Sequence, residues 1–284
     1  MDLDLLGAAL RSGPVDDAIV RLAARLHERY GERVDAIILY GSYLRGVTDA
    51  MPDVYVLLNG WPAKPRLHRW LGAALPPNVL NLPFDNELNG RAKVSVLTTA
   101  QLMRAVTGDR HPYFWARFAQ PCQRLHCRDR VVAAQLDFVA VRSAQRLMDE
   151  VAPNPSPTTS TSFWMAVFAR TYAAEVRSEG PSKHEALYAA NQDYYDRLFQ
   201  ARQAITASGR GSRAWPVAQA AGKLLSVLRI GKSVLTFEDG VDYMLWKLER
   251  HSGVRLDATE RQRRYPLLFA WPLAWRLYRL KAFR

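Results

Sequence analysis

The chain has 284 residues, 49% apolar side chains, two cysteines and a formal net charge of +12. That length and apolar content suit one large domain or two smaller ones and argue against a disordered chain. The charge favours anionic partners, while Cys122 and Cys127, with no second pair, argue against a disulfide framework or a thiolate zinc site and fit a reducing cytoplasm.

The start, Met1-Asp2-Leu3-Asp4, is acidic and lacks a basic segment followed by an apolar one, so no secretory or mitochondrial leader is expected. No apolar run reaches the length of about 20 residues that spans a bilayer. Apolar side chains at helical spacing (Ile19, Leu22, Ala23, Leu26) predict an amphipathic helix over Val15 to Tyr30, with Asp16 and Asp17 in its first turn and Gly31 just past its end. Residues 34–40 and 53–58 read as buried strands. Leu67 to Leu75 reads as a helix stopped by Pro76-Pro77. Val79 to Leu82 and Ala92 to Leu97 are short strands, with Asn89-Gly90 turning between them. Thr98-Thr99 caps a helix beginning near Ala100.

Beyond residue 112 the pattern turns helical, over Tyr113 to Phe118 and Val131 to Val151. The stretch from Pro153 to Ser160 has linker composition and marks a domain boundary. Helices are then predicted over 161–179, 183–208, 214–229 and 239–251. The expected architecture is α+β: a small mixed sheet flanked by helices over residues 1–152, then a mainly helical domain over 161–284.

Two segments carry chemistry. Ile37-Ile38-Leu39-Tyr40-Gly41-Ser42 is an apolar strand ending in a Gly-Ser turn. Asp53-Val54-Tyr55-Val56-Leu57-Leu58 is a second strand headed by a carboxylate. Nucleotidyltransferases build their catalytic corner from such a pair: the turn holds a nucleoside triphosphate and the carboxylate holds the divalent ion on it. Gly41 lets the backbone approach the phosphates, and Ser42 offers a hydroxyl and an N–H. An acidic residue heading a buried strand needs a partner or a metal, which marks Asp53 as a Mg²⁺ ligand. One carboxylate is thin for this role, and Asp85 or Glu87 would supply another. Lys93, among apolar strand neighbours, would neutralise phosphate charge. Arg124 and His126 would take the phosphate of the second substrate, because Arg presents a planar fork of donors.

In order, these residues resemble the mitochondrial-type phosphatidate cytidylyltransferases, the peripheral CDP-diacylglycerol synthases of the translocator assembly and maintenance family. The resemblance rests on Tyr40-Gly41-Ser42, the single Asp53 followed by Tyr55 where generic nucleotidyltransferases carry a second carboxylate, and the Asn89-Gly90 turn leading to Lys93. It extends to Trp115 through Arg124-Leu125-His126, to Ser226-x-x-Arg229 and to Gly231-Lys232-Ser233. It is dense over residues 37–130 and scattered elsewhere. Gln123 and Tyr43 stand where the family has Gly. The resemblance implies transfer of CMP from CTP to phosphatidic acid with Mg²⁺, and adds Tyr40 and Asn81 to the nucleotide site.

Residues 265–284 mix Trp, Phe and Leu with Arg and Lys, and no acidic residue follows Glu260. Such a segment suits an anionic membrane surface, and with it a cytoplasmic protein held peripherally at the inner face of the membrane. No stacking-aromatic motif points to nucleic acid. Two other readings stay open on the residues alone: a nucleotidyltransferase with a different phosphate or hydroxyl acceptor, and a catalytically disabled transferase fold that binds its ligands.

Overall fold

The computed structural model describes residues 10–11, 13–47, 51–83, 91–109, 111–153, 156–175, 181–204, 215–236 and 257–264. Its centre is a six-stranded mixed sheet. The strands are β1 (Leu10–Arg11), β2 (Val34–Tyr40), β3 (Asp53–Leu58), β4 (Asn78–Pro83), β5 (Arg91–Thr98) and β6 (Cys122–Cys127), in the spatial order β1-β6-β2-β3-β5-β4. β3 runs parallel to β5 and β1 parallel to β6, while the other neighbours are antiparallel.

Alternation along the strands feeds two cores. Ile37, Leu39, Val54, Val56, Val94 and Val96 point to one face, where they meet Ile19, Leu22 and Leu26 of helix α1 (Asp17–Tyr30). Ile38, Tyr55, Leu57 and Leu97 point to the other, beneath α3 (Thr99–Gly108), α4 (Trp115–Phe118) and α5 (Arg130–Arg146). Each fully buried side chain of this kind contributes about 1.5–3 kcal/mol. Between β3 and β4 lies α2 (Arg66–Ala74).

The helices begin where their caps dictate. The Asp16 carboxylate accepts from the Ile19 N–H at the start of α1, and Thr98 and Gln101 form a reciprocal capping box at the start of α3. α5 ends in a single π-helical turn, Leu147–Val151. Beyond the expected linker lie α6 (Ser160–Ala173), α7 (Pro181–Ala189), α8 (Gln192–Ala204), α9 (Trp215–Thr236) and the short α10 (Glu260–Arg264). The helix expected over 183–208 is two, broken around Asn191. The one expected over 239–251 lies outside the described residues. Among the described residues no helix is long and apolar enough to cross a membrane.

The coarse class is therefore mixed α+β, with the sheet over the first half and helices over the second. Packing is continuous across the linker: Tyr55 and Leu97 of the sheet belong to the same buried cluster as Phe163, Trp164, Tyr195 and Leu198 of the later helices.

Candidate active site

The register of the sheet brings four of the sequence-predicted residues into one row. Tyr40 pairs with Asp53, Asp53 with Lys93, and Lys93 with Asn81, across β2, β3, β5 and β4. Directly paired residues share a face, so the row looks toward the helix-rich side, the side of Tyr55 and Leu57. Lys93 Nζ lies 3.2 Å from Asp53 Oδ1, with the two side chains 25% and 27% exposed.

Gly41 sits where β2 ends. Its φ is +88°, in the left-handed region that favours glycine. A Cβ there would stand 3.0 Å from Asp53 Oδ2. The bend and the carboxylate therefore touch across neighbouring strands. Ser42 opens one tight turn, Tyr43–Arg45: its carbonyl accepts from the N–H groups of Arg45 (3.0 Å) and Val47 (3.2 Å). Tyr43 O–H donates to Asp16 Oδ2 at 2.6 Å. The same carboxylate caps α1 through its other oxygen. Tyr43, where the resembled family has Gly, thus ties the Gly-Ser turn to the start of α1.

Tyr40, Gly41, Ser42, Arg45 and Asp53 form one wall of an open cleft. The facing wall comes from the helices: Arg117 of α4, Thr171 and Tyr172 of α6, Glu175 just past it, and Lys183 of α7. Arg117 grips Glu175 through both guanidinium nitrogens, at 2.6 and 2.9 Å, and lies over the Tyr113 ring at 4.1 Å. Burial disfavours its charge, but Glu175 and the phenols of Tyr55 and Tyr113 hold its pKa well above the usual range. The floor is aromatic. Tyr55 stacks on Tyr40 with centroids 4.8 Å apart, and burial raises both phenols far above their usual pKa. Tyr55 therefore stays uncharged.

The sequence-predicted residues divide by place. Tyr40, Gly41, Ser42 and Asp53 converge on the cleft, and Lys93 joins them through its ion pair with Asp53 without itself lining the cleft. Asn81 lies in the same row but is buried, with its backbone carbonyl accepting from Arg91 at 3.3 Å, and it does not line the cleft. His126 does not join them: it pairs with Ile37 and packs edge-on against His27 of α1, with centroids 4.9 Å apart, on the opposite face from Asp53. Burial and the neighbouring His27 lower its pKa. Arg124 pairs with Ile38 beside a register shift in β6 and does not line the cleft either. Asp85, Glu87 and the segment 265–284 lie outside the described residues.

The cleft residues that sequence reasoning did not single out are Arg45, Arg117, Glu175 and Lys183. Arg45 carried a usable signal, since it ends the Gly-Ser turn. The others come from distant elements. Asp35 is a more deeply buried carboxylate than Asp53, but it lies at the far end of β2 and is occupied by Arg128 (2.6 Å) and the Thr99 hydroxyl.

Asp53 is the carboxylate available for a divalent ion here, since Glu175 is committed to Arg117. Among the described residues no group of three or more His, Cys, Asp or Glu side chains gathers as a cation site. Mg²⁺ is commonly bound by one or two carboxylates together with phosphate oxygens of its ligand and water, and this donor set fits an ion that arrives with a triphosphate. No protein-family model matches the chain, and no curated protein matches it.

Proposed function

We propose that this chain is a nucleotidyltransferase that transfers CMP from CTP to phosphatidic acid, giving CDP-diacylglycerol and pyrophosphate. The observation that carries the reading is the contact of the Gly41 bend with the Asp53 carboxylate, in register with Lys93. A glycine at φ +88° lets the Asp53 carboxylate lie against the bend, and that side chain remains partly open. Choice of CTP and of phosphatidate rests on the family resemblance.

In this reading the triphosphate lies over Gly41 and Ser42, whose N–H and hydroxyl groups orient it. Asp53 would hold Mg²⁺, and the ion would supply charge neutralisation. Lys93 neutralises the phosphate nearest the row. A phosphate oxygen of the acceptor attacks the α-phosphorus, and the bond to the β-phosphate breaks with its electrons leaving on pyrophosphate. Such chemistry asks for positioning and charge more than for covalent help. Arg45 and Lys183 share the cleft with Asp53 and suit the acceptor phosphate, in place of His126 on the far face. Peripheral attachment at the inner face of the membrane, through residues 265–284, belongs to the same proposal.

The test is radiolabelled CTP and Mg²⁺ with vesicles containing phosphatidate. Labelled CDP-diacylglycerol should form, and Asp53→Asn should lower turnover about 100-fold or more. Absence of pyrophosphate release with every nucleotide and acceptor tried overturns the enzyme reading. The Asp53–Lys93 ion pair and Tyr55 favour one second reading, a transferase fold that binds nucleotide without turning it over. Calorimetry separates the two: Mg²⁺-dependent CTP binding without turnover supports the second.

A further inference from the structure

Among the described residues, nothing covers the outer face of helix α2. Trp70 is 74% exposed and Leu67 is 54% exposed. They are three residues apart, so they lie side by side on one face. Ala73 and Ala74 extend the small apolar surface around them, and Arg66, Arg69 and Lys64 at its margin are exposed. From Val54 to Phe84 the sequence contains no Asp or Glu. Within this stretch of chain the charged side chains that accompany the exposed Trp70 and Leu67 are therefore all cations.

The inner face of α2 is fixed. Gly72 packs so closely on Trp61 that a Cβ would stand 2.3 Å from the indole ring. Its carbonyl accepts from Gln101 Nε2 at 2.8 Å, and the His68 carbonyl accepts from Asn78 Nδ2 at 2.7 Å. The helix therefore shows Leu67 and Trp70 to solvent while anchored from behind, rather than by fraying outward.

We infer that α2 is a docking surface for an anionic lipid bilayer, with Trp70 and Leu67 entering the headgroup layer and Lys64, Arg66 and Arg69 meeting lipid phosphates. The indole is amphipathic and favours the interfacial layer, Leu gains from leaving water, and cations at the margin gain from anionic lipid. A nucleic acid satisfies the cations but leaves Leu67 wet, because Leu has neither a ring to stack on bases nor a donor for phosphate. A second copy of this chain meets like charge at the same patch. The surface is built from residues 64–74, and docking through it stands whether or not the cleft transfers a nucleotide.

The experiment is flotation of the full chain with phosphatidylcholine vesicles, with and without phosphatidylglycerol. Binding is expected with the anionic vesicles, and it weakens as salt rises. Leu67→Ser with Trp70→Ser should lower the vesicle partition about tenfold or more. Each of Arg66→Gln and Arg69→Gln should lower it about fivefold. All four side chains are exposed, so melting of the variants should stay within about 0.5 kcal/mol of the parent and serves as the folding control. The inference is overturned if the parent does not float, or if it floats as well after Leu67→Ser with Trp70→Ser. It is also overturned if the same pair of substitutions abolishes binding to a single-stranded RNA oligonucleotide, or dissociates a dimer in sedimentation, while flotation is unchanged.

Discussion

Gly41 meets two separate constraints, a left-handed backbone and a neighbour 3.0 Å from where a side chain would begin. An alanine there is strained by its φ and displaces the Asp53 carboxylate as well. Gly41→Ala is expected to cost about 1–3 kcal/mol of folding stability and to abolish Mg²⁺-dependent nucleotide binding. Denaturant melts and a nucleotide titration check the two effects separately; retention of both refutes the close-approach role. Gly41, Ser42 and Asp53 were legible in the sequence because their signals are local: a turn at the end of one strand and a charge heading the next. Lys93 was legible because it interrupts an apolar strand. Arg117, Glu175 and Lys183 gave no such signal, since each is an ordinary charged residue until helices far apart in sequence bring it to the cleft. His126 is expected beside Arg124 because the two belong to the Arg-Leu-His segment that carries the resemblance. The register shift in β6 and the packing on His27 leave it facing α1.

At the scale of elements, strands and capped helices followed the pattern closely. β2 and β3 occupy the residues that apolar runs predicted, and α1 and α3 start at the caps that Asp16 and Thr98 supply. β6 was not anticipated, because Cys-Gln-Arg-Leu-His-Cys has no apolar run and takes its place by pairing with β2. The docking of α9 was equally silent, since it depends on two cations reaching backbone oxygens far away in the chain. Arg229 lies 3.8 Å from the Tyr113 ring centroid and donates to the Pro76 carbonyl at 2.9 Å. Lys232 Nζ donates to the Leu75 carbonyl, to the Pro77 carbonyl at 2.6 Å and to Asn78 Oδ1 at 3.1 Å. Burial first, and then Arg229, lowers the Lys232 pKa from 10.5 to about 7. Between those values the unfolded chain binds the extra proton, so the Lys232 contribution to stability rises as pH climbs through that window. Lys232→Met is expected to flatten this slope. At pH near 7 it should also cost about 1–3 kcal/mol, because the acceptors lose their donor. Denaturation of both proteins at the two ends of the window is the check, and equal slopes would refute the assignment.

For the whole molecule, the shared core matters more than the linker between the halves. Tyr55 of the sheet packs within the cluster that holds Trp164 and Tyr195, and Arg117 joins Glu175 from the far side of the linker. Both partners of that ion pair are largely buried, so breaking it leaves an unpaired charge. Arg117→Met is expected to cost about 3–5 kcal/mol, with unfolding still a single transition followed alike by calorimetry and by fluorescence. Two separate transitions would mean that the halves fold independently. The composition of Pro153 to Ser160 signalled a chain break, but composition carries no information on whether packing crosses it. A last consequence concerns Asp16, whose two oxygens serve different masters: one keeps the leading end of α1 wound, the other steadies the loop carrying Ser42 and Arg45 through Tyr43. Fraying of that helix end and loosening of the Gly-Ser bend are thus a single motion, so any ligand that immobilises the bend also quiets a helix on the opposite side of the sheet.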